Sequence, residues 1–345
     1  MNKALRYGWI GTMLLGSVLS LRAQDLHFSQ FMNSPLLTNP ANAGFIPDGD
    51  YRLGANYRNQ WSSVTAFPYK TMSLFGDMQL MTDPEANGWI GLGGIVLRDV
   101  AGASVLTSTK AYGAVAYHQM LGSGSLLSLG FNVGWSNKQI NTQGLSFPSQ
   151  WNGQFFDIHQ AGAPVLMTNQ SNYLDLQTGL NYAYFPNDRV WLNGGVSVMH
   201  VNRPRESFFA ANDSADNRLS MRYNGFFNSS FKLSDRLIVS PAAYYTLQAR
   251  SSQLMGSVLA RYNASGDGAT ELLAGLAYRH GESVIPLLGI GLNELTFTFS
   301  YDVTLSGLSA FNGARGAFEF SLIKQGRRDR YRGNGRESMC PSFRY

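Results

Sequence analysis

The chain has 345 residues, of which 44% are hydrophobic, 13% aromatic and 14% charged, with 37 glycines, one cysteine and a formal net charge of +5. A typical soluble domain is roughly 25% charged, so this composition argues against the surface of a soluble enzyme. The lone Cys340 excludes an intrachain disulfide, and a secreted fold must then be closed by backbone pairing.

Lys3 and Arg6 precede an apolar run over residues 9–21 that leads into Arg22-Ala23. Positive charge, apolar core and small residue in that order describe a secretory signal, and the run is too short to span a bilayer. Residues 1–23 are therefore predicted to be a signal peptide, with Gln24 opening the mature chain. No later stretch reaches the roughly 18 consecutive apolar residues of a membrane helix. A membrane location, if there is one, must use strands.

Residues 24–50 hold Gln24-Asp25-Leu26-His27-Phe28-Ser29-Gln30-Phe31 and, further on, Pro35 and Asn39-Pro40. Prolines without strand-length alternation predict an irregular arm. An arm this rich in Phe, Leu and amides is poorly suited to bare exposure in water. It is expected to pack in the lumen as a plug or partial plug through His27, Phe28, Gln30, Phe31, Pro35, Asn39 and Pro40. A disordered leader is the other reading, and the aromatic content weighs against it.

After Tyr51 the sequence becomes segments of about ten residues with a period of two, separated by Gly, Asn, Asp, Ser and Pro. The clearest runs from Leu295 through Phe297, Phe299, Tyr301 and Val303 to Leu305, with polar residues between. Leu127, Leu129, Phe131, Val133 and Trp135 alternate likewise with Ser128, Gly130, Asn132, Gly134 and Ser136. A helix would scatter this pattern around its circumference. Segments begin near Tyr51, Tyr69, Gly88, Val105, Leu126, Tyr173, Arg189, Leu219, Arg236, Gln253, Thr270, Ser283, Glu294 and Gly313. The expectation is an all-β fold, a transmembrane antiparallel barrel of about 14 strands over residues 51–324, as in bacterial outer membranes.

Pro241 predicts a bulge or bend in its strand. Joins after even-numbered strands are short, with Leu80 to Asn87 a longer exception, and those over residues 139–172 and 202–218 are long, the asymmetry of a barrel with long loops outside. Both chain ends then face the periplasm. Clusters such as Tyr182-Ala183-Tyr184-Phe185 and Tyr244-Tyr245 suit interfacial girdles, or simple strand propensity. Arg58, Lys110, Asp175, Arg222, Glu271, Arg279, Asp302 and Glu319 fall mostly on the polar phase, which should face inward because a charge at mid-bilayer costs about 2–4 kcal/mol. Acids and arginines together in a lumen suit ion pairs that fix a plug better than a path for one class of ion, although a porin remains compatible with them.

Residues 325–345 form a basic tail with Arg327, Arg328, Arg330, Arg332 and Arg336, followed by Cys340-Pro341-Ser342-Phe343. Arginine forks suit carboxylates or phosphates, so Arg327, Arg328, Arg330, Arg332, Arg336, Cys340, Pro341 and Phe343 are candidate contacts with a periplasmic protein surface or outer-membrane lipid, the apolar end acting as an anchor. A solvated tail is the alternative. The compartment excludes nucleic acid.

The opening of residues 24–45, with Gln24-Asp25, His27-Phe28-Ser29-Gln30-Phe31, Pro35-Leu36, Asn39-Pro40-Ala41 and Ala43-Gly44, resembles the PorP/SprF family of type IX secretion membrane proteins of Bacteroidetes. Tyr57-Arg58-Asn59-Gln60-Trp61, Ser300-Tyr301-Asp302, Gly316-Ala317-Phe318-Glu319-Phe320-Ser321-Leu322 and Cys340-Pro341-Ser342-Phe343 extend the resemblance in the same order to the end of the chain. Met32-Asn33-Ser34 departs from the family's usual aromatic and small residues. The resemblance implies a large-lumen, fatty-acid-transporter-like barrel without catalytic activity or cofactor. Its implied role is in the secretion and gliding machinery, supporting export or surface attachment of cargo bearing C-terminal secretion domains and coupling to periplasmic ring and outer-membrane components. A channel for small or hydrophobic solutes is the alternative function.

His27, His118, His159, His200 and His280 show no paired metal-ligand spacing and are expected at strand ends or in the lumen. Gly91-Leu92-Gly93-Gly94 precedes no helix, so it is a strand or bulge feature and not a phosphate loop.

Overall fold

The computed structural model describes residues 28–47, 49–83, 87–102, 106–122, 124–141, 150–157, 168–208 and 217–327. The fourteen strands are β1 (Tyr51–Gln60), β2 (Tyr69–Asp83), β3 (Gly88–Ala101), β4 (Leu106–Met120), β5 (Ser125–Gln139), β6 (Gln170–Asn187), β7 (Val190–Met199), β8 (Arg222–Ser234), β9 (Leu237–Gln248), β10 (Ser251–Asn263), β11 (Thr270–Arg279), β12 (Ser283–Leu292), β13 (Leu295–Thr304) and β14 (Arg315–Gly326). Each pairs antiparallel with its sequence neighbours, and β1 also pairs with β14 from Tyr51↔Gly326 to Gln60↔Ala317, so the sheet closes as a barrel. Closure removes the free edges that would leave amides bare in lipid.

The alternation inverts the plan of a soluble protein. On β5, Leu127, Leu129, Phe131, Val133 and Trp135 are 38–58% exposed, while Ser128, Asn132 and Ser136 are buried. On β13, Leu295 and Phe297 point out, and Thr298, Ser300, Asp302 and Thr304 point in. The period of two therefore sorts apolar side chains to an outer belt and polar ones to the interior. Arg58, Lys110, Asp175, Arg222, Arg279, Asp302 and Glu319 are all buried. Glu271 is half-buried and lines an interior cavity.

Three local expectations change. The register of β9 runs through Pro241 unshifted, from Ser251↔Gln248 to Tyr262↔Leu237 on the β10 side. The irregularity between β8 and β9 lies instead between Lys232 and Ser234. Proline removes one donor without adding a residue, and the Ser229 hydroxyl donates to the Pro241 carbonyl at 2.9 Å beside a Ser230–Ser240 hydroxyl contact of 2.8 Å. Second, Tyr182, Tyr184 and Tyr245 face outward, but Phe185 and Tyr244 are buried, because neighbours on a strand point to opposite faces. Third, the loop asymmetry is incomplete. Turns at the end where β1 begins and β14 finishes, called proximal here, are short, and the distal end carries the long joins 140–169 and 200–221. The distal end also has tight hairpins at 249–250 and 280–282, where Ala249 and Gly281 adopt positive φ.

Among the described residues the interior apolar side chains gather in three clusters, and each includes a residue from the segment before β1. Leu36 joins Phe75, Ile95, Leu97 and Tyr112. Phe31 joins Phe226, Tyr244, Met255 and Ile285. Phe45 joins Trp89, Leu126, Ala183 and Phe185.

Candidate functional site: the segment before β1 and its buried ion cluster

Residues 31–42 form three single turns, Phe31–Asn33, Pro35–Thr38 and Pro40–Asn42. Pro35 and Pro40 each occupy the first position of a turn, where a missing N–H costs nothing, and the Asn39 side chain caps the last turn by accepting from the Ala41 N–H at 2.9 Å. The segment begins level with the distal third of the barrel. Ser29 bonds to groups of Arg58 and Asp302, each two residues from the distal end of its strand. It ends at the proximal rim, where the Asp50 N–H donates to the Gly326 carbonyl at 2.8 Å.

Ser29 and Gln30 meet a cluster of buried charges. Arg58 Nη2 lies 2.8 Å from Asp302 Oδ2, and Arg58 Nη1 lies 3.2 Å from Glu319 Oε2. Arg279 Nη1 reaches Asp302 at 3.1 Å and Glu282 at 2.8 Å. Into this cluster the Ser29 and Gln30 backbone N–H groups donate to the two oxygens of Glu319 at 2.9 and 2.8 Å. The Ser29 hydroxyl donates to Asp302 at 2.9 Å and accepts from Arg279 Nη2 at 2.6 Å, and Arg58 Nη1 donates to the same hydroxyl. Buried charges are stable only when paired and hydrogen-bonded, and here the main-chain N–H groups of Ser29 and Gln30 and the Ser29 hydroxyl add to the pairing. The Gln30 amide donates to Ser300 Oγ at 2.9 Å. The Asn33 amide donates to Thr298 Oγ1 at 3.0 Å.

The later residues meet β6 and β7 on the opposite wall and then return along β4 and β3 to β2 and β1. The Asn39 amide donates to the Leu180 and Val196 carbonyls of β6 and β7 at 2.9 and 3.2 Å, and Ser197 Oγ donates to the Thr38 carbonyl at 2.9 Å. His118 Nε2 lies 2.8 Å from the Ala43 carbonyl, so that nitrogen carries the proton and Nδ1 accepts from Ser128 Oγ at 2.7 Å. The Gly44 N–H donates to Asp77 at 2.9 Å, and Arg52 holds that carboxylate by a two-point contact at 3.0 and 2.8 Å. Trp89 Nε1 donates to the Gly44 carbonyl at 3.0 Å.

Strand glycines make these approaches possible. A Cβ on Gly130 would lie 2.3 Å from the Ala41 nitrogen, and one on Gly91 would lie 1.9 Å from the Ala43 carbonyl oxygen. Gly91 is thus a seat for the main chain and not a bulge.

Of the residues expected to make these contacts, Phe28, Gln30, Phe31, Pro35, Asn39 and Pro40 are all buried. His27 lies outside the described residues. Arg327 is exposed just beyond β14, whereas Arg328, Arg330, Arg332, Arg336, Cys340, Pro341 and Phe343 lie outside the described residues, as do residues 1–23, expected from the sequence to be a signal peptide, and His159. Arg52, Asp77, Gly91, Gly130 and His118 are the partners that sequence reasoning did not pair with the segment. A glycine at an inward phase of a strand was the available signal. Among the described residues no group of three or more His, Cys, Asp or Glu side chains is placed to hold a metal.

A closed antiparallel barrel with an apolar outer belt and its charges gathered inside defines an outer-membrane β-barrel protein. Within that class the chain belongs to the PorP/SprF family, described as type IX secretion system membrane proteins, whose match covers residues 20–323. This is the family that the residues of the opening and closing segments resemble. The fold is similar to that of the toluene transporter TbuX of Ralstonia pickettii, with a TM-score of 0.52 and 11% identity over 85% of this chain and 94% of that one. It is similar to the same degree to a Pseudomonas aeruginosa FadL homologue, with a TM-score of 0.51 and 11% identity over 85% and 94% of the two chains. At such identity the likeness concerns the fold alone. A comparison with curated proteins gave no match.

Proposed function

We propose that this barrel is a non-catalytic component of the type IX secretion and gliding machinery. It supports export or surface attachment of cargo bearing C-terminal secretion domains, and it couples the outer membrane to periplasmic ring components. In this reading residues 24–50 plug the lumen, the proximal end faces the periplasm, and residues 325–345 present arginines to an acidic partner surface or to lipid phosphates. Residues 1–23 act as the signal that directs export. Family membership supports the machinery role.

The observation that carries the adaptor reading over a channel is the seating of Ser29 and Gln30 in the Arg58–Asp302–Glu319 cluster while Asn39 bonds to the opposite wall. A solute channel would need that crossing segment to leave. The proposal is tested by deleting residues 327–345 and recovering partners from native membranes. An adaptor loses periplasmic partners while the barrel still assembles; full recovery of partners and unchanged secretion would count against the role of the tail.

A further inference from the structure

The outer face of the barrel carries almost no charge. Among the described residues, charged side chains on the outward phase of the strands are confined to Lys70 on β2, Arg98 on β3 and Lys324 on β14. Lys324 stands at the proximal rim, with Nζ 3.8 Å from Glu294 Oε2. Lys70 and Arg98 stand together toward the distal end, both exposed, and neither makes an ion pair or hydrogen bond among the described residues. The joins that flank their strands, residues 61–68 and 102–105, contain no acid, and the neighbouring Asp99 points inward, where it accepts from Thr71 Oγ1 at 2.6 Å.

Strand register places these two cations at the edge of the hydrocarbon. Leu74, Val96, Ala111, Trp135 and Leu174 form one outward row across β2 to β6, and every member is apolar. The next row toward the distal end is Met72, Arg98, Thr109, Asn137 and Asn172, polar from β3 onward, with Asn137 Nδ2 donating to Asn172 Oδ1 at 2.8 Å. Lys70 lies opposite Val100, one row further out. Polarity on this side of the barrel thus begins at Arg98, at the depth where head groups replace acyl chains and an outward charge is no longer costly. Residues diagonal to each other across an antiparallel pair are about 7–8 Å apart, so the long side chains of Lys70 and Arg98 can close on one anion from two sides.

We propose that Lys70 and Arg98 bind a phosphate of the phosphorylated glycolipid that forms the outer leaflet of Gram-negative outer membranes, with its acyl chains lying along β2 and β3. This rests on the reading that the proximal end faces the periplasm and the distal end faces out. An arginine fork and a lysine point charge are the side chains suited to phosphate oxygens, and Thr109, paired with Arg98 across β3 and β4, brings a hydroxyl to the same face. Phe67 and Tyr69, both exposed next to Lys70, offer ring faces to a sugar. Below the cations Leu74 and Val96 are exposed to acyl chains, and one row deeper Gly76, Gly94 and Gly113 pair across three strands and lower the wall. Because the unpaired cations stand directly on the apolar belt, a ligand that meets both must carry negative charge and hydrocarbon together. A phosphorylated lipid does so, and an acidic protein surface does not.

The test titrates the purified full-length protein, stripped of lipid in a non-ionic detergent, with diphosphoryl lipid A and follows the retained lipid by native mass spectrometry. Lipid A is expected to bind the native protein at least tenfold more tightly than it binds Lys70→Gln/Arg98→Gln, while Lys324→Gln and the charge-keeping Lys70→Arg/Arg98→Lys stay within about threefold of native. Each variant is first checked for heat-modifiable migration. Dephosphorylated lipid A is expected to bind the native protein at least tenfold more weakly than the diphosphoryl form, a comparison that needs no variant and holds if the double variant fails to assemble. Equal retention by the native and double-variant proteins, or equal retention of lipid A with and without its phosphates, would overturn the proposal. Phosphatidylglycerol bound as tightly as lipid A, and lost in the double variant, would overturn the glycolipid as the source of the phosphate. Binding in detergent is independent of orientation, which is read separately by labelling Ser62→Cys in a Cys340→Ser background with a membrane-impermeant maleimide on whole cells. Labelling is expected; its absence would refute the outward distal end, and with it the outer-leaflet source, without touching the binding result.

Discussion

Arg58 and Glu319 face each other directly across the β1–β14 seam that closes the barrel, with Arg58 Nη1 3.2 Å from Glu319 Oε2. The same carboxylate accepts the backbone N–H groups of Ser29 and Gln30. The contact that joins the first strand to the last is therefore also the contact that holds the crossing segment. Closing the seam and seating the segment share one set of buried charges.

Removing Arg58 leaves Asp302 and Glu319 buried with too few donors. Breaking one side of a buried ion pair costs about 3–5 kcal/mol, so Arg58→Met is expected to lower the unfolding free energy of the refolded barrel, read from its urea titration, by that order. Glu319→Gln keeps an acceptor for one N–H and should cost less. Equal, small losses for the two variants in the same titration would contradict the shared role of the cluster.

Gly130→Val places side-chain atoms where the Ala41 main chain lies, while Gly225→Val meets nothing within 4 Å of its Cβ. Valine favours strands, so both variants should assemble. Only Gly130→Val should shift Trp89 emission to longer wavelength, since Trp89 is buried and donates to Gly44. The difference from matched Trp89→Phe backgrounds isolates that signal, and an unchanged spectrum in Gly130→Val would show that Ala41 does not sit there.

The lipid belt gives a separate check. Val133 is exposed near the middle of β5 and its neighbour Asn132 is buried. Val133→Arg should destabilise the barrel in bilayers by about 2–4 kcal/mol. The same variant in detergent, where the head can find water, should lose less. A neutral result in bilayers would place Val133 away from hydrocarbon.

Strand existence was legible because lipid outside and packed polar groups inside impose a strict period of two, and even the segments begun by Gln253 and Ser283 follow it in β10 and β12. Inward charges such as Arg58 and Asp302 were legible for the same reason. Pro241 misled because proline marks a lost donor, while a bulge needs an extra residue, and the count of β9 against β10 stays in step. The pairing of Ser29 with Glu319 spans 290 positions, and no local pattern encodes a contact of that separation. The seats at Gly91 and Gly130 were hidden because a strand glycine has several causes, and only the approaching main chain selects among them.

Conductance in planar bilayers tests the central claim most directly. The account predicts that the full-length barrel is nearly silent and that deleting residues 28–46 opens large, steady currents, with Arg58→Met giving intermittent openings. Large currents from the full-length barrel, unchanged by that deletion, would contradict a lumen closed by its own leading segment.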